Sequence, residues 1–243
     1  MNETATDDAA FKKGETPKFG PNNDPEKLSD IGRKVTRALN SNPMVEMVDI
    51  PDIQLYVYRG FLPEADCQIL IDKIDEKAEP SSLYKGTEQE GFRTSYSCHL
   101  NRWESDIDRI EKRISALMGI DNDYAETMQG QRYQIGQEFK AHHDFFHPAQ
   151  DYWKQEELRG GQRSWTAMIF LNNVPAGGAT EFPHLKIGVR PERGTLLMWN
   201  NMAVDGKPNY KSLHSGTPVV EGTKYIITKW YRQNNWVKLT GSG

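Results

Sequence analysis

Cysteine is scarce: the 243 residues hold two, Cys67 and Cys98, too few for a disulfide framework. Both stand in apolar patterns, so buried free thiols are expected. Neither sign of charge dominates. With 30 basic and 34 acidic side chains the formal net charge is -4, which gives no reason to expect nucleic acid or an anionic membrane as a partner. No apolar run approaches the roughly 18 residues that span a bilayer. The first residues, MNETATDDAAFKKGETPKFGPNNDPEK, lack the apolar stretch of a secretory leader, so a cytoplasmic location is the expectation. They are polar and rich in Gly, Pro and charge, and residues 1–24 are expected to be a disordered tail. There is no internal repeat. A hydrophobic content of 37% suffices for one core, or one core with a small appendage.

Three segments carry helical patterns. Asp24-Pro25 suits a helix start, the Asp as cap and the Pro in the first turn, and Leu28, Ile31, Val35 and Leu39 follow on one face. A second helix follows Pro63, with Cys67, Leu70, Ile71 and Ile74 at helical spacing. A third begins near Ser105 with Ile107, Ile110, Ile114 and Leu117 as its stripe, and Gly119 is its expected stop. From about residue 126 the period changes to two. ETMQGQRYQI, FKAHHDFF, RSWTAMIFLNN, GTLLMWN, LHSGTPV and TKYIITKWYR read as strands, punctuated by Gly and Pro. Many short strands with such turns point to a sandwich, barrel or jelly roll. Helices first and strands later point to helices on one face of an antiparallel sheet, an α+β arrangement.

Within these strands lies a metal-ligand pattern. His142 and Asp144 are two residues apart, so on extended chain both side chains point to one face and His143 to the other. His143, and His147 before Pro148, are read as bystanders. A second histidine from elsewhere would complete a two-histidine, one-carboxylate set, which leaves positions open on iron(II). His99, His184 and His214 are the candidates. His184 sits beside a proline near a turn. His214 lies in SLHSGTPVVEGTKYIITKW, which reads as a strand-turn-strand hairpin holding His214 and Lys224 near one cavity. Period two places Lys224, Ile226, Thr228 and Trp230 on one face of the last strand. A lysine on a core-facing row needs an anionic partner, and a dicarboxylate co-substrate would supply one.

Five segments in order now carry a resemblance: YRGFLPEADCQILIDKI, GFRTSYSCHL, RYQIGQEFKAHHDFF, GGQRSWTAMIFLNNVPAGGATEFP and HSGTPVVEGTKYIITKW. Over roughly residues 48 to 233 the chain resembles the prolyl 4-hydroxylase-like branch of the 2-oxoglutarate- and iron(II)-dependent dioxygenases. The resemblance implies a double-stranded β-helix, or jelly roll, with helices packed on one face. It implies an N-terminal helix and linker over 25–47, a dioxygenase domain over 48–235 and a tail over 236–243. His142, Asp144 and His214 are implied as iron ligands, and Lys224 as the ion-pair partner of the distal 2-oxoglutarate carboxylate. Tyr133 and Thr180 match positions that hydrogen-bond that carboxylate, and Trp230 matches an aromatic beside the metal. Arg93 and Arg163 match arginines near the peptide groove, Arg163 with a catalytic role.

Phe139 departs from the pattern. Three residues before the first ligand the family usually has Tyr, whose hydroxyl handles substrate, so Phe139 bears on substrate identity. The implied cofactors are iron(II), 2-oxoglutarate and dioxygen, with ascorbate as reductant. The implied reaction is hydroxylation of a prolyl residue to 4-hydroxyproline in a peptide or protein partner. Two alternatives stand beside it: the same chemistry on a free amino acid or small metabolite, and a non-catalytic jelly-roll binding module. The polar loop GTEQEGFR, before Arg93, is expected to act as a lid.

Overall fold

Asp24 starts the first helix as its spacing predicts: its carboxylate accepts from the backbone N–H of Glu26 and Lys27, and Pro25 opens the first turn. The computed structural model describes residues 23–82 and 91–241. Most of the expected N-terminal tail and of the expected GTEQEGFR lid lie outside them. Among the described residues the helices are α1 (Pro25–Asn40), α2 (Glu64–Lys77), α3 (Ser105–Met118), α4 (Trp153–Leu158) and α5 (Trp236–Thr240). The strands are β1 (Glu46–Met47), β2 (Leu55–Tyr58), β3 (Glu79–Pro80), β4 (Tyr96–His99), β5 (Gln129–Tyr133), β6 (Phe139–His142), β7 (Arg163–Phe170), β8 (Ala176–Gly177), β9 (Thr180–Phe182), β10 (Ile187–Val189), β11 (Leu196–Asn200), β12 (His214–Gly216), β13 (Val219–Glu221) and β14 (Lys224–Arg232).

An eight-stranded sheet runs in the order β1-β2-β11-β7-β14-β5-β4-β3, and a four-stranded sheet in the order β10-β9-β12-β6. Neighbours within both are antiparallel. The larger sheet has two buried faces. On one, Trp165, Ala167 and Ile169 of β7 and Ile227 and Tyr231 of β14 join Val35, Leu70, Ile74, Ile107, Ile110 and Ile114 of the helices in one core. On the other, Met168, Phe170 and Ile226 meet Phe182 of the smaller sheet, with Trp199 and Leu197 of β11. Alternation along the strands divides the side chains between these cores, which is why every residue of β7 is buried. This is the jelly roll with helices on one face that the resemblance implied. Gly130 of β5 keeps α2 close to the sheet: a Cβ there would stand 2.4 Å from Ile74 Cγ1.

Three expectations change. The strand expected over 139–146 ends at His142. Beyond it the Gln162 amide takes both backbone groups of Phe146, donating to its carbonyl and accepting its N–H, so the chain bends instead of continuing a ladder. The expected hairpin of His214 and Lys224 does not form. After Gly216 the chain passes Pro218 and pairs as β13 with β8, so β12 and β14 lie in different sheets. Finally, the 236–243 segment, expected as a tail, contains α5, whose N-cap Asn235 accepts from Lys238 N–H and which ends at Gly241 in the left-handed conformation. The third helix ends as predicted, with Gly119 at φ 66°.

Candidate metal and co-substrate centre

His142 ends β6 and pairs with His214, which begins β12. Asp144 reaches the same point from the bend after β6. One nitrogen or oxygen from each of the three lies within 4.8 Å of the others. His142 Nε2 is 3.8 Å from Asp144 Oδ1, and His214 Nε2 is 3.7 Å from Asp144 Oδ2. Each imidazole is held at its other nitrogen: His142 Nδ1 is 2.8 Å from the Lys140 carbonyl and His214 Nδ1 is 2.9 Å from the Ser212 carbonyl. A carbonyl only accepts, so both Nδ1 atoms carry a proton and both Nε2 atoms are directed at Asp144. Burial, then the neighbouring His214, pushes His142 down to about 3, so its ring stays neutral. Burial tends to raise the Asp144 carboxyl, but His214, His142, Arg163 and the Thr166 hydroxyl outweigh it and hold the carboxyl below the usual range.

Two imidazoles and one carboxylate, converging at one point, are the donor set that suits iron(II) and leaves coordination positions free. Asp144 is oriented from behind: Thr166 Oγ1 donates to its Oδ2 at 2.7 Å, and Asn201 Nδ2 donates to Thr166 Oγ1 at 3.0 Å. Neither Thr166 nor Asn201 was singled out in the sequence. The position of Thr166, alternating with Trp165 on β7, was the available signal. The other candidate histidines lie elsewhere: His99 and His184 are exposed, and His143 Nε2 contacts the Tyr210 carbonyl at 3.2 Å.

The histidines open onto a pocket between the two sheets, lined by Gln131, Tyr133, Phe139, Met168, Thr180 and Trp199 together with Gly216 and the β14 row Lys224, Ile226, Thr228 and Trp230. Lys224 is 1% exposed, and burial pushes its ammonium down to about 7. No carboxylate pairs with it among the described residues. Its Nζ lies 5.2 Å from the Tyr133 ring and 5.6 Å from the Phe170 ring. A buried cation with no anion beside it costs stability, and a carboxylate of a bound dicarboxylate would remove that cost. Thr180 lies in the lining, and among the described residues its hydroxyl has no closer partner than Met168 Sδ at 3.9 Å. The residues present therefore fit iron(II) and 2-oxoglutarate together.

Residues 128–232 match the profile of the 2OG-Fe(II) oxygenase superfamily. Prolyl 4-hydroxylase 2 of Arabidopsis thaliana is 30% identical over 210 residues, which cover 76% of this chain and 69% of that protein. The chain belongs to the prolyl 4-hydroxylase family. Human prolyl 4-hydroxylase subunit alpha-1 is 35% identical over 144 residues, covering 58% of this chain and 27% of that subunit. The structure of viral collagen prolyl hydroxylase vCPH from Paramecium Bursaria Chlorella virus-1, as its 2OG complex, aligns with TM-score 0.56 at 26% identity, covering 79% of this chain and 97% of that one. This prolyl 4-hydroxylase relative is thus a 2-oxoglutarate-dependent dioxygenase that uses iron(II), 2-oxoglutarate and dioxygen, and ascorbate is typical of its family.

The remaining expected residues stand around the pocket mouth. Phe139 stacks on the His142 ring, centroids 3.6 Å apart, and the Arg93 guanidinium lies 4.8 Å over Phe139. Arg93 donates to Ser95 Oγ at 3.1 Å and Gln129 Oε1 at 2.9 Å. Arg163 lies 4.1 Å over the Trp230 ring and gives two donors to Glu126, at 2.6 and 2.8 Å. Arg232 shares Glu126 at 3.0 Å and also reaches Glu156 at 2.8 Å. Burial opposes ionisation of Glu126, but Arg163 and Arg232 hold its carboxyl below the usual range. The Nε1–H groups of Trp199 and Trp230 are buried, and neither has an acceptor among the described residues. Glu126 was missed in the sequence because its partners are distant in the chain. Among the described residues no helix is long and apolar enough to cross a membrane.

Proposed function

We propose that this protein hydroxylates a prolyl residue of a peptide or protein to 4-hydroxyproline. The observation that carries the reading is one pocket holding the His142, Asp144 and His214 set beside the buried Lys224, in a member of the prolyl 4-hydroxylase family. Iron(II), 2-oxoglutarate and dioxygen together supply an oxidant that inserts one oxygen atom into an unactivated C–H bond, with succinate and carbon dioxide as the other products. His142, Asp144 and His214 hold the metal, with Thr166 and Asn201 fixing the carboxylate. Lys224, Tyr133 and Thr180 take the distal carboxylate of 2-oxoglutarate at the closed end. Phe139 stacks on the His142 imidazole and fixes the orientation of that ring. Trp230 and Phe139 line the pocket, with Arg163 over the one ring and Arg93 over the other, and charged and aromatic groups so placed suit a peptide's carbonyls and proline rings.

Incubation with iron(II), ascorbate, 2-oxoglutarate and proline-containing peptides, read by mass spectrometry, should give a one-oxygen mass gain on proline. Substrate-dependent succinate formation without that gain on any proline would refute it. Phe139 favours a second reading, the same chemistry on a free amino acid or small metabolite, since it lacks the hydroxyl that its relatives' tyrosine brings to substrate. Turnover on free proline exceeding that on a proline-containing peptide would select it. Absence of a visible charge-transfer band on anaerobic addition of iron(II) and 2-oxoglutarate would refute the assignment of the pocket. The free thiols of Cys67 and Cys98 suit a reducing compartment, which supports a cytoplasmic location.

A further inference from the structure

A polar row runs along the pocket face of β5. Gln129, Gln131 and Tyr133 alternate on it, and β14 sets Thr228, Ile226 and Lys224 opposite them in that order. The row is hydrogen-bonded end to end. Arg93 Nη2 donates to Gln129 Oε1 at 2.9 Å. Gln131 Nε2 donates to the same oxygen at 3.2 Å and to Thr228 Oγ1 at 3.0 Å. The Tyr133 hydroxyl donates to Gln131 Oε1 at 2.7 Å. Gln131 is 4% exposed and Tyr133 is 3% exposed, so little water reaches either. Arg93 lies over Phe139, close enough for its charge to act on the Tyr133 phenol, and the Tyr133 ring faces Lys224.

The hydroxyl of Tyr133 has one proton, and it is spent on Gln131. A carboxylate only accepts hydrogen bonds. A dicarboxylate seated at Lys224 can therefore draw on Tyr133 only if the hydroxyl turns away from Gln131. That turn leaves Gln131 Oε1 buried and unpaired, which is unfavourable unless another donor replaces the phenol. Arg93 is the donor at hand. It already bonds the neighbouring Gln129 amide, and its charge acts on the Tyr133 phenol.

We propose that Gln131 is a positioning residue that couples the two ends of the pocket: 2-oxoglutarate draws the Tyr133 hydroxyl off Gln131, and Arg93 re-pairs the vacated amide oxygen. The coupling rests on the reading that the Lys224 end takes the co-substrate carboxylate. It makes 2-oxoglutarate affinity depend on a residue at the peptide end. It also makes the position of Arg93 depend on whether 2-oxoglutarate is bound.

The test is a double-mutant cycle on the full chain, read by anaerobic calorimetric titration of 2-oxoglutarate into protein loaded with manganese(II), so that no turnover enters. Arg93→Met should weaken 2-oxoglutarate binding about fivefold in the otherwise native protein, and by less than about twofold when Gln131→Met is present, the non-additivity expected of residues in one network. Manganese(II) affinity should stay unchanged throughout. If Gln131→Met does not fold, Gln131→Asn, which withdraws the amide from both partners, carries the same expectation. Additive effects in protein that binds 2-oxoglutarate overturn the coupling alone. Failure of the native protein to bind 2-oxoglutarate overturns the pocket reading as well.

Discussion

Lys224→Met removes the cation that the pocket offers to a carboxylate while keeping most of the side chain's length and apolar stem. In the native protein this ammonium is 1% exposed and pushed by burial down to about 7 from 10.5. Near pH 8 only about a tenth of it is charged before co-substrate arrives. A carboxylate beside it restores the charged form, so binding at that pH takes up close to one proton, and near pH 6 close to none. Above about pH 7 the dissociation constant for 2-oxoglutarate should rise by about tenfold per pH unit. Leaving a buried charge without its partner costs about 2–5 kcal/mol, so Lys224→Met should weaken 2-oxoglutarate binding by about 30-fold or more.

The same shift acts on the protein without ligand. Because the folded pKa lies below the unfolded one, the unfolded chain binds more protons between about 7 and 10.5. Stability contributed at this position therefore rises with pH through that window, and Lys224→Met should be the more stable protein near pH 6. Calorimetry in two buffers of different ionisation enthalpy counts the protons, and thermal melts follow the stability. No proton uptake near pH 8, together with native affinity in Lys224→Met, would refute the assignment.

Asp144→Ala should abolish turnover and weaken iron(II) binding sharply, which anaerobic metal titration reads directly. Phe139→Tyr adds a hydroxyl to the ring stacked on His142; it should change relative kcat/KM among peptide substrates and leave 2-oxoglutarate affinity within about twofold, since Lys224, Tyr133 and Thr180 are left in place. Glu126→Gln takes the shared carboxylate from Arg163 and Arg232 and should cost about 3 kcal/mol of stability in urea unfolding. A raised peptide KM should accompany that loss, because Arg163 would no longer be held over Trp230. Gly130→Ala should destabilise by about 1–3 kcal/mol through its clash with Ile74, with the iron site unaffected.

Features that depend on neighbouring residues were readable in the chain. Asp24-Pro25 and Gly119 bound their helices where local capping chemistry says they should. Alternation placed Lys224, Ile226, Thr228 and Trp230 on one row, and that row lines the pocket. Features decided by distant partners were not readable. β6 ends at His142 because an amide from residue 162 takes the backbone of Phe146, and no local pattern announces that. The supposed hairpin failed because Val219 pairs with Gly177 of β8 rather than with β14. The short helices α4 and α5 carry no long apolar stripe. Gln129 and Gln131 were not singled out, since alternation reports which residues share a side and not which side is dry. The metal set was legible because spacing and residue type carry it; the groups that orient it, Thr166 and Asn201, are ordinary strand residues until the fold brings them to Asp144.

β14 is one strand with two obligations. Lys224, Ile226, Thr228 and Trp230 line the pocket, while Ile227 and Tyr231, interleaved with them, belong to the core beneath the helices, and buried Lys229 faces Glu111 there. Inserting or deleting a single residue would exchange the two sets, sending the pocket lysine into the helical core and an isoleucine or tyrosine into the pocket. Such a change cannot be tolerated by degrees. A change of substrate is therefore confined to substitution within this strand and to length changes in the loops that bear no ladder residues.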